Sequence, residues 1–289
     1  MFQKIMVVKM IKLLVDSASD IDLEEAKKLG IELIPIEILI DGVTYLDGVN
    51  LSHVEFFKKL GECQDFPRTS QITEYRYHEK FAEMTKNGDS VIVICLSSKL
   101  SGTYTQAVNA SKDFKNVYVI DSLNACAGER LLTEYAIRLV NENKPVEEIV
   151  SLLNNKKKNI RVFALLGTLK YLKKGGRISS FTAFAGTMLN IKPLLAVIDG
   201  ELKLVGKAIG TKKGIQFLNT LITETNGIDF DMPFVAAYSD FDTEALDKYL
   251  QNSEKIWGEN TNTIPKKMLG STIGTHIGPG TIAVSFFEK

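Results

Sequence analysis

The sequence predicts an α/β fold: an N-terminal parallel-sheet α/β domain with a small insertion, followed by a C-terminal α+β domain. Three observations predict it. Apolar runs rich in Val and Ile recur at residues 11–16 (IKLLVD), 31–40 (IELIPIEILI), 91–96 (VIVICL) and 117–121 (VYVID), and an amphipathic helical pattern follows most of them. The run VIVICL does not alternate, so both its faces must be covered, as in the central strand of a parallel sheet. The polar stretch NNKKKN at 154–159 then ends that rhythm, and shorter strand patterns in mixed order follow at 161–166, 202–205, 233–239 and 281–287. The division predicted is 1–156 and 157–289.

Between the second and third runs, residues 42–60 read as the insertion. Asp47-Gly48 suggests a tight turn, and Ser52 with Glu55 three residues on suggests a capping box opening a helix. Residues 165–195 read as a short helix ending at Gly175-Gly176, a basic turn, and the apolar run 181–190 (FTAFAGTMLN), whose small residues suit either a buried helix or room for an apolar ligand.

The 289 residues carry 45% hydrophobic and 24% charged side chains, the composition of an ordinary folded protein with a sizeable core. Lys and Arg (35) balance Asp and Glu (35), which removes the electrostatic attraction that non-specific nucleic-acid binding needs. Cys63, Cys95 and Cys126 are too widely spaced for a metal-ligand pair and odd in number for a disulfide framework, which fits a reducing cytoplasm. Lys9 and Lys12 interrupt the apolar opening stretch, and its second half reads as a buried strand, not a signal. No run has the roughly 18 apolar residues of a membrane span.

In a parallel sheet, ligands collect at the carboxyl ends of the strands, and here those ends carry hydroxyls. DSASD (16–20) follows the first strand, SSKLSGTY (97–104) the third, and Ser122 the fourth; Thr69, Ser70 and Gln71 follow the insertion. Gly102 permits close backbone approach, and Ser101 and Thr103 stand at the start of a helix pattern, where free N–H groups and hydroxyls suit an anionic oxygen. Helix capping explains the same residues equally well. His53 and His78 lie in helical patterns, whereas His276 lies in the turn-rich segment STIGTHIGPGTIAV and is expected on a loop, either facing a ligand or bonded to backbone. Ser101 and His276 could be a nucleophile and base, but Gly-x-Ser-x-Gly is absent, as are the Walker and dinucleotide glycine patterns. Asp16, Asp20 and Asp121 could hold Mg²⁺ or cap turns. Lys173, Lys174 and Arg177 form either a solvated turn or a patch for an acidic partner.

Taken together, DSASDI (16–21), RTSQ (68–71), SSKLSGTY (97–104), VIDS (119–122), LKKGGRIS (172–179), IKPLL (191–195) and HIGPG (276–280) span nearly the whole chain, which resembles the DegV family. Members characterised in fatty-acid activation are the fatty-acid-binding subunits of the bacterial fatty acid kinase. The resemblance implies two α/β domains with a long-chain fatty acid between them. It implies a carboxylate held by Thr69, Ser101 and His276; Ser70, Ser98 and Gly102, on the same hydroxyl-rich segments, are further ligand-binding candidates. It implies no cofactor, metal or nucleophile: a cytoplasmic, non-catalytic protein that presents the acid to an ATP-dependent kinase subunit and touches membranes at most peripherally. Arg177 matches a basic position of the family and would meet the kinase or the phosphorylated head group. Where many relatives carry an arginine, this chain has Ile209, with Lys207, Lys212 and Lys213 nearby; a lysine does not reproduce a bidentate arginine contact. The alternative reading is a serine-dependent lipid hydrolase or acyl-transfer enzyme using Ser101 and His276.

Overall fold

A computed structural model describes residues 10–177 and 190–289. The run 181–190 falls almost wholly outside them. The first strand, β1 (Ile11–Asp16), leads through α1 (Leu23–Leu29) to β2 (Glu32–Ile34), its parallel neighbour. The sequence pattern 31–40 reads as one strand, but the structure breaks it at Pro35. Proline lacks a ladder donor, and the next N–H, that of Ile36, is taken by Ser17 Oγ at 3.0 Å. The chain then enters a separate antiparallel sheet of β3 (Glu37–Ile40), β4 (Val43–Leu46) and, after α2 (His53–Glu62), β5 (Arg68–Ser70), in the order β4-β3-β5. Helix α2 opens with the capping box expected at Ser52 and Glu55, and its Phe56, Phe57 and Leu60 pack with Ile38 and Ile40 of β3.

The parallel sheet is completed by α3 (Glu74–Thr85), β6 (Ser90–Cys95), α4 (Thr103–Ser111) and β7 (Val117–Asp121), in the order β2-β1-β6-β7. Central strand β6 shows why its sequence does not alternate. Ile92 and Ile94 point into one core and Val91, Val93 and Cys95 into another, so Val91–Cys95 are all buried although the side chains still alternate. One core is closed by Tyr77, Phe81 and Met84 of α3 with Ala107 and Ala110 of α4. The other is closed by Leu131, Leu132, Ala136 and Leu139 of α5 (Ala127–Asn141), next to α6 (Val146–Lys156).

After residue 159 the connectivity changes to mostly antiparallel. The strands are β8 (Ile160–Leu165), then, past α7 (Lys170–Gly175), β9 (Ile191–Ile198) and β10 (Glu201–Ile209), then, past α8 (Thr211–Thr223), β11 (Phe234–Ser239). Helices α9 (Glu244–Gln251) and α10 (Glu254–Trp257) precede β12 (Lys266–Met268), α11 (Ser271–Ile277) and β13 (Thr281–Phe287). The sheet runs β10-β9-β8-β13-β11-β12, with only β11 and β12 parallel. Phe163, Leu194, Val284 and Phe286 face α8 and α9 around the fully buried Trp257. On the other face, Val162, Leu195, Ala237 and Ala283 join the core that α5 shares with the parallel sheet. Helix α5 thus lies between the two sheets.

Placement of His276 corrects the sequence expectation of a loop: it lies in the last turn of α11. Gly and Thr are poor helix formers, but this turn is held from outside. Asp47, fully buried, accepts the Ser271 and Thr272 N–H groups at 3.1 and 3.0 Å and the Thr272 hydroxyl at 2.6 Å. Asp20 accepts the Gly270 N–H at 2.6 Å.

Candidate ligand-binding site

Between the carboxyl edge of the parallel sheet and the inner face of the second sheet lies a cavity of about 450 Å³, within the size range of ligand pockets. Its lining divides into two poles. At one pole stand Thr69, Ser70, Ser98, Ser101, Gly102 and His276, with Arg177 beside them. The rest of the lining is mostly apolar, with Ile36, Leu96 and Leu269 of one region and Val162, Leu195 and Ala283 of the other, interrupted by Cys126, Thr272 and Thr281. The six residues expected around the carboxylate, and Arg177, therefore border one void, whereas Asp16, Asp20, Asp121, Thr103 and Lys173 are not in its lining.

Each polar residue is positioned by a different local device. Thr69 sits mid-strand in β5, opposite Ile38, and its hydroxyl lies 3.1 Å from His276 Nε2. Their sequence separation of 207 is spanned because α11 packs on β5 and α2. After β6, the turn at Ser97 is closed by the Leu100 and Ser101 N–H groups donating to the Ser97 carbonyl at 3.0 and 3.1 Å. Ser101 Oγ accepts the Thr103 N–H at 3.2 Å and lies 3.0 Å from Thr103 Oγ1. The hydroxyl thus binds the first N–H of α4, whose N-cap is Gly102, and lines the cavity at once. A Cβ at Gly102 would stand 1.9 Å from the Gln71 amide oxygen, so a side chain there would displace Gln71 from the pocket wall.

Burial, and secondarily the Arg177 guanidinium, push the His276 pKa down to about 4. The imidazole is neutral at pH 7, a hydrogen-bonding group and not a counter-ion. Arg177 Nη1 donates to the Gly175 carbonyl at 2.7 Å. It also borders a second recess of about 500 Å³ that shares Thr69 and His276 with the main cavity and adds Arg68, Lys174 and Phe66. Lys174 stands over the Phe66 ring, 5.2 Å from its centroid. The polar pole thus opens to the surface through a basic rim.

The aspartates weighed as metal ligands are engaged by backbone. Asp16 accepts the Ala18 and Leu96 N–H groups, and Asp121 those of Ser98 and Leu123. Among the described residues no group of three His, Cys, Asp or Glu side chains is placed to hold a metal. Burial raises the Asp16 pKa to about 7, while Glu129 is fully buried and pushed well up by the same cause. Cys63, Cys95 and Cys126 are free thiols, and Cys126 borders the cavity with its ionisation suppressed by burial. Ile209 ends β10 with 64% exposure and is not part of the cavity lining.

The sequence reading missed the opposite wall. Val162, Ala164, Leu195 and Ala283 come from β8, β9 and β13, where Ala164 is directly across from both Leu195 and Ala283. Strand alternation marks these residues as inward-facing but does not say that they face a void. Among the described residues no helix is long and apolar enough to cross a membrane.

The chain as a whole has counterparts among known proteins. A DegV domain-containing protein of Caldanaerobacter subterraneus is 37% identical over 281 residues, covering 96% of this chain and 99% of the relative. A structure described as fatty acid binding of a DegV family protein from Thermus thermophilus superposes with a TM-score of 0.85 at 28% identity, over 97% of this chain and all of that one. A stearic acid-binding protein of Eubacterium ventriosum matches with a TM-score of 0.81 at 25% identity, over 97% of this chain and 99% of that one. The family model described as "Uncharacterised protein, DegV family" matches residues 10–289, and the chain belongs to the DegV family.

Proposed function

We propose that this protein binds a long-chain fatty acid between its N-terminal region, 1–156, and its C-terminal region, 157–289. The carboxylate lies among Thr69, Ser70, Ser98, Ser101, Gly102 and His276, and the acyl chain fills the apolar pole. The observation that carries this reading is a cavity whose lining joins hydroxyls and an imidazole with a larger set of aliphatic side chains. Burying the chain contributes about 0.8 kcal/mol per CH₂, and hydroxyl donors to an anionic oxygen contribute about 1.5–3 kcal/mol each. The fatty-acid binding described for the Thermus and Eubacterium proteins supports the same ligand class.

The protein acts in the cytoplasm as a carrier and not as an enzyme, handing the bound acid to an ATP-dependent fatty acid kinase for phosphorylation. Arg177 with Arg68 and Lys174 forms the rim at which kinase and acyl phosphate are met, and any membrane contact is peripheral. A hydrolase would need His276 as base to Ser101, yet the imidazole Nε2 bonds Thr69 and the Ser101 hydroxyl bonds Thr103. That arrangement favours binding over nucleophilic catalysis.

The test is native mass spectrometry of the purified protein before and after organic extraction, followed by titration of the delipidated chain with myristic, palmitic and stearic acids. One bound fatty acid per chain is expected. A protein that takes up none of them contradicts the proposal, and labelling of Ser101 by a fluorophosphonate would favour the hydrolase instead.

A further inference from the structure

Two of the hydroxyls at the polar pole, those of Thr69 and Ser101, are each tied into a hydrogen-bond chain that leaves the proton one direction to point. In the first chain, a neutral imidazole carries a single N–H. His276 Nδ1 is buried without a hydrogen-bond partner, and Gly175 covers it so closely that a Cβ there would stand 2.3 Å away. Orphaned buried N–H groups are rarer than under-satisfied acceptors, so the lone pair belongs on Nδ1 and the proton on Nε2. Nε2–H then donates to Thr69 Oγ1 at 3.1 Å, and the Thr69 proton is left for the cavity.

The second chain begins at a backbone group, whose direction is fixed. Ile72 N–H donates to Thr103 Oγ1 at 3.3 Å. Thr103 is fully buried, and its own proton must find an acceptor. Among the described residues the acceptor in range is Ser101 Oγ, at 3.0 Å. Ser101 Oγ also accepts the Thr103 N–H at 3.2 Å. With both lone pairs engaged, Ser101 can only donate, again toward the cavity it lines.

We infer that Thr103 and His276, the latter sealed by Gly175, are positioning residues that turn the hydroxyls of Ser101 and Thr69 into obligatory donors, so that the site takes a head group offering two acceptor oxygens and disfavours one that must itself donate. The ligand class rests on the fatty-acid reading; the bond directions rest on the contacts alone. An ionised carboxylate satisfies both donors, whereas a primary amide presents an NH₂ group to one of them and an alcohol supplies a single oxygen. Thr103 touches no ligand in this scheme and acts through Ser101.

The experiment compares stearic acid, stearamide and stearyl alcohol binding to the delipidated full-length protein at pH 8, and reads the His276 tautomer from ¹⁵N NMR of the same sample. The acid is expected to bind at least about tenfold more tightly than the amide or the alcohol, with the Nε2–H tautomer observed. Thr103→Val should weaken the acid about tenfold and shrink the preference over the amide, and Thr103→Ser should restore both. His276→Gln keeps an N–H near the Nε2 position and should retain the preference, while His276→Asn should lose it. Equal affinity for acid and amide, an Nδ1–H tautomer, or a Thr103→Val protein that binds like the wild type would each overturn the inference while leaving acyl binding intact. Failure of all three lipids to bind would overturn the fatty-acid reading and this inference with it.

Discussion

The two poles of the cavity are built on opposite principles. At the polar pole, position depends on individual hydrogen bonds between residues far apart in sequence, such as Thr69 with His276 and Asp47 with Thr272. At the apolar pole, position depends on strand pairing, in which Ala164, Ala283 and Leu195 lie side by side across three antiparallel strands. A hydrogen bond has a direction and a partner, so loss of one group leaves another unsatisfied. A strand wall has neither, and what it specifies is volume. The polar pole should therefore respond to chemical changes of constant size and the apolar pole to changes of size alone.

The largest effect is expected where the polar pole is fastened to the rest of the protein. Asp47 receives three hydrogen bonds from the first residues of α11, the helix that carries His276. Asp47→Ala leaves three buried donors unpaired and removes a favourable charge from the helix start. The expected cost is about 3–5 kcal/mol in urea unfolding, with fatty-acid affinity falling as well. A loss under about 1 kcal/mol would mean that α11 is held by packing, and the contrast between the poles would narrow. At the apolar pole, Ala283→Leu should do the reverse. The added side chain has a cavity to occupy, so stability should change by less than about 1 kcal/mol. Displacing roughly three CH₂ groups of an acyl chain should cost about 2.4 kcal/mol in stearate affinity, near fiftyfold.

The acid side of the stability profile probes the polar pole in another way, because His276 titrates there. His276 has a folded pKa of about 4 against an ordinary value of 6.5. The unfolded chain therefore binds a proton first, and His276 makes stability fall as pH drops from 6.5 toward 4. Asp16, raised to about 7 from 3.8, acts in the opposite sense: the native state holds the extra proton, and stability falls as pH rises through the same window. The two trends offset each other in the wild type. Replacing His276 by Gln removes the first, so the stability of wild type minus that of His276→Gln should be greatest at pH 7 and decline by about 3 kcal/mol by pH 4. A difference that stays flat with pH would place His276 in contact with water and weaken the case for a sealed Nδ1.

Which parts of this arrangement the sequence reveals follows from the range of the forces involved. The unalternating VIVICL run announces a strand covered on both faces, because burial on two sides leaves no polar positions, and Val91–Cys95 are all buried. The hydroxyl-rich loops are equally visible, since they follow directly on those strands. The break at Pro35 is less so. An isolated proline within an apolar run is compatible with an edge strand, and what decides the matter is Ser17 Oγ taking the next N–H from 19 residues away. Helix α11 is invisible to local propensity, because its stabilising carboxylate is Asp47, 224 residues from Ser271. The apolar wall stays hidden for a related reason: alternation shows that Ala164 and Ala283 face inward, but not that empty space lies in front of them.

The smallest effect tests the polar pole from within. Ser101 and Ser98 both line the cavity on the loop after β6, but only the Ser101 hydroxyl is held by a hydrogen-bond chain. The fixed contact at Ser98 is its backbone N–H, which donates to Asp121 at 3.2 Å and survives any side-chain change. An oriented hydroxyl has already lost its rotational freedom in the empty protein, whereas an unoriented one loses it on binding. Ser101→Ala should therefore weaken stearate binding by about 1.5–3 kcal/mol, and Ser98→Ala by less than about 0.5 kcal/mol, both read by calorimetric titration. Equal losses would show that proximity to the head group suffices and that orientation by Thr103 adds nothing. An unchanged affinity for Ser101→Ala would reduce Ser101 to a helix cap and leave Thr69 as the sole oriented hydroxyl of the site.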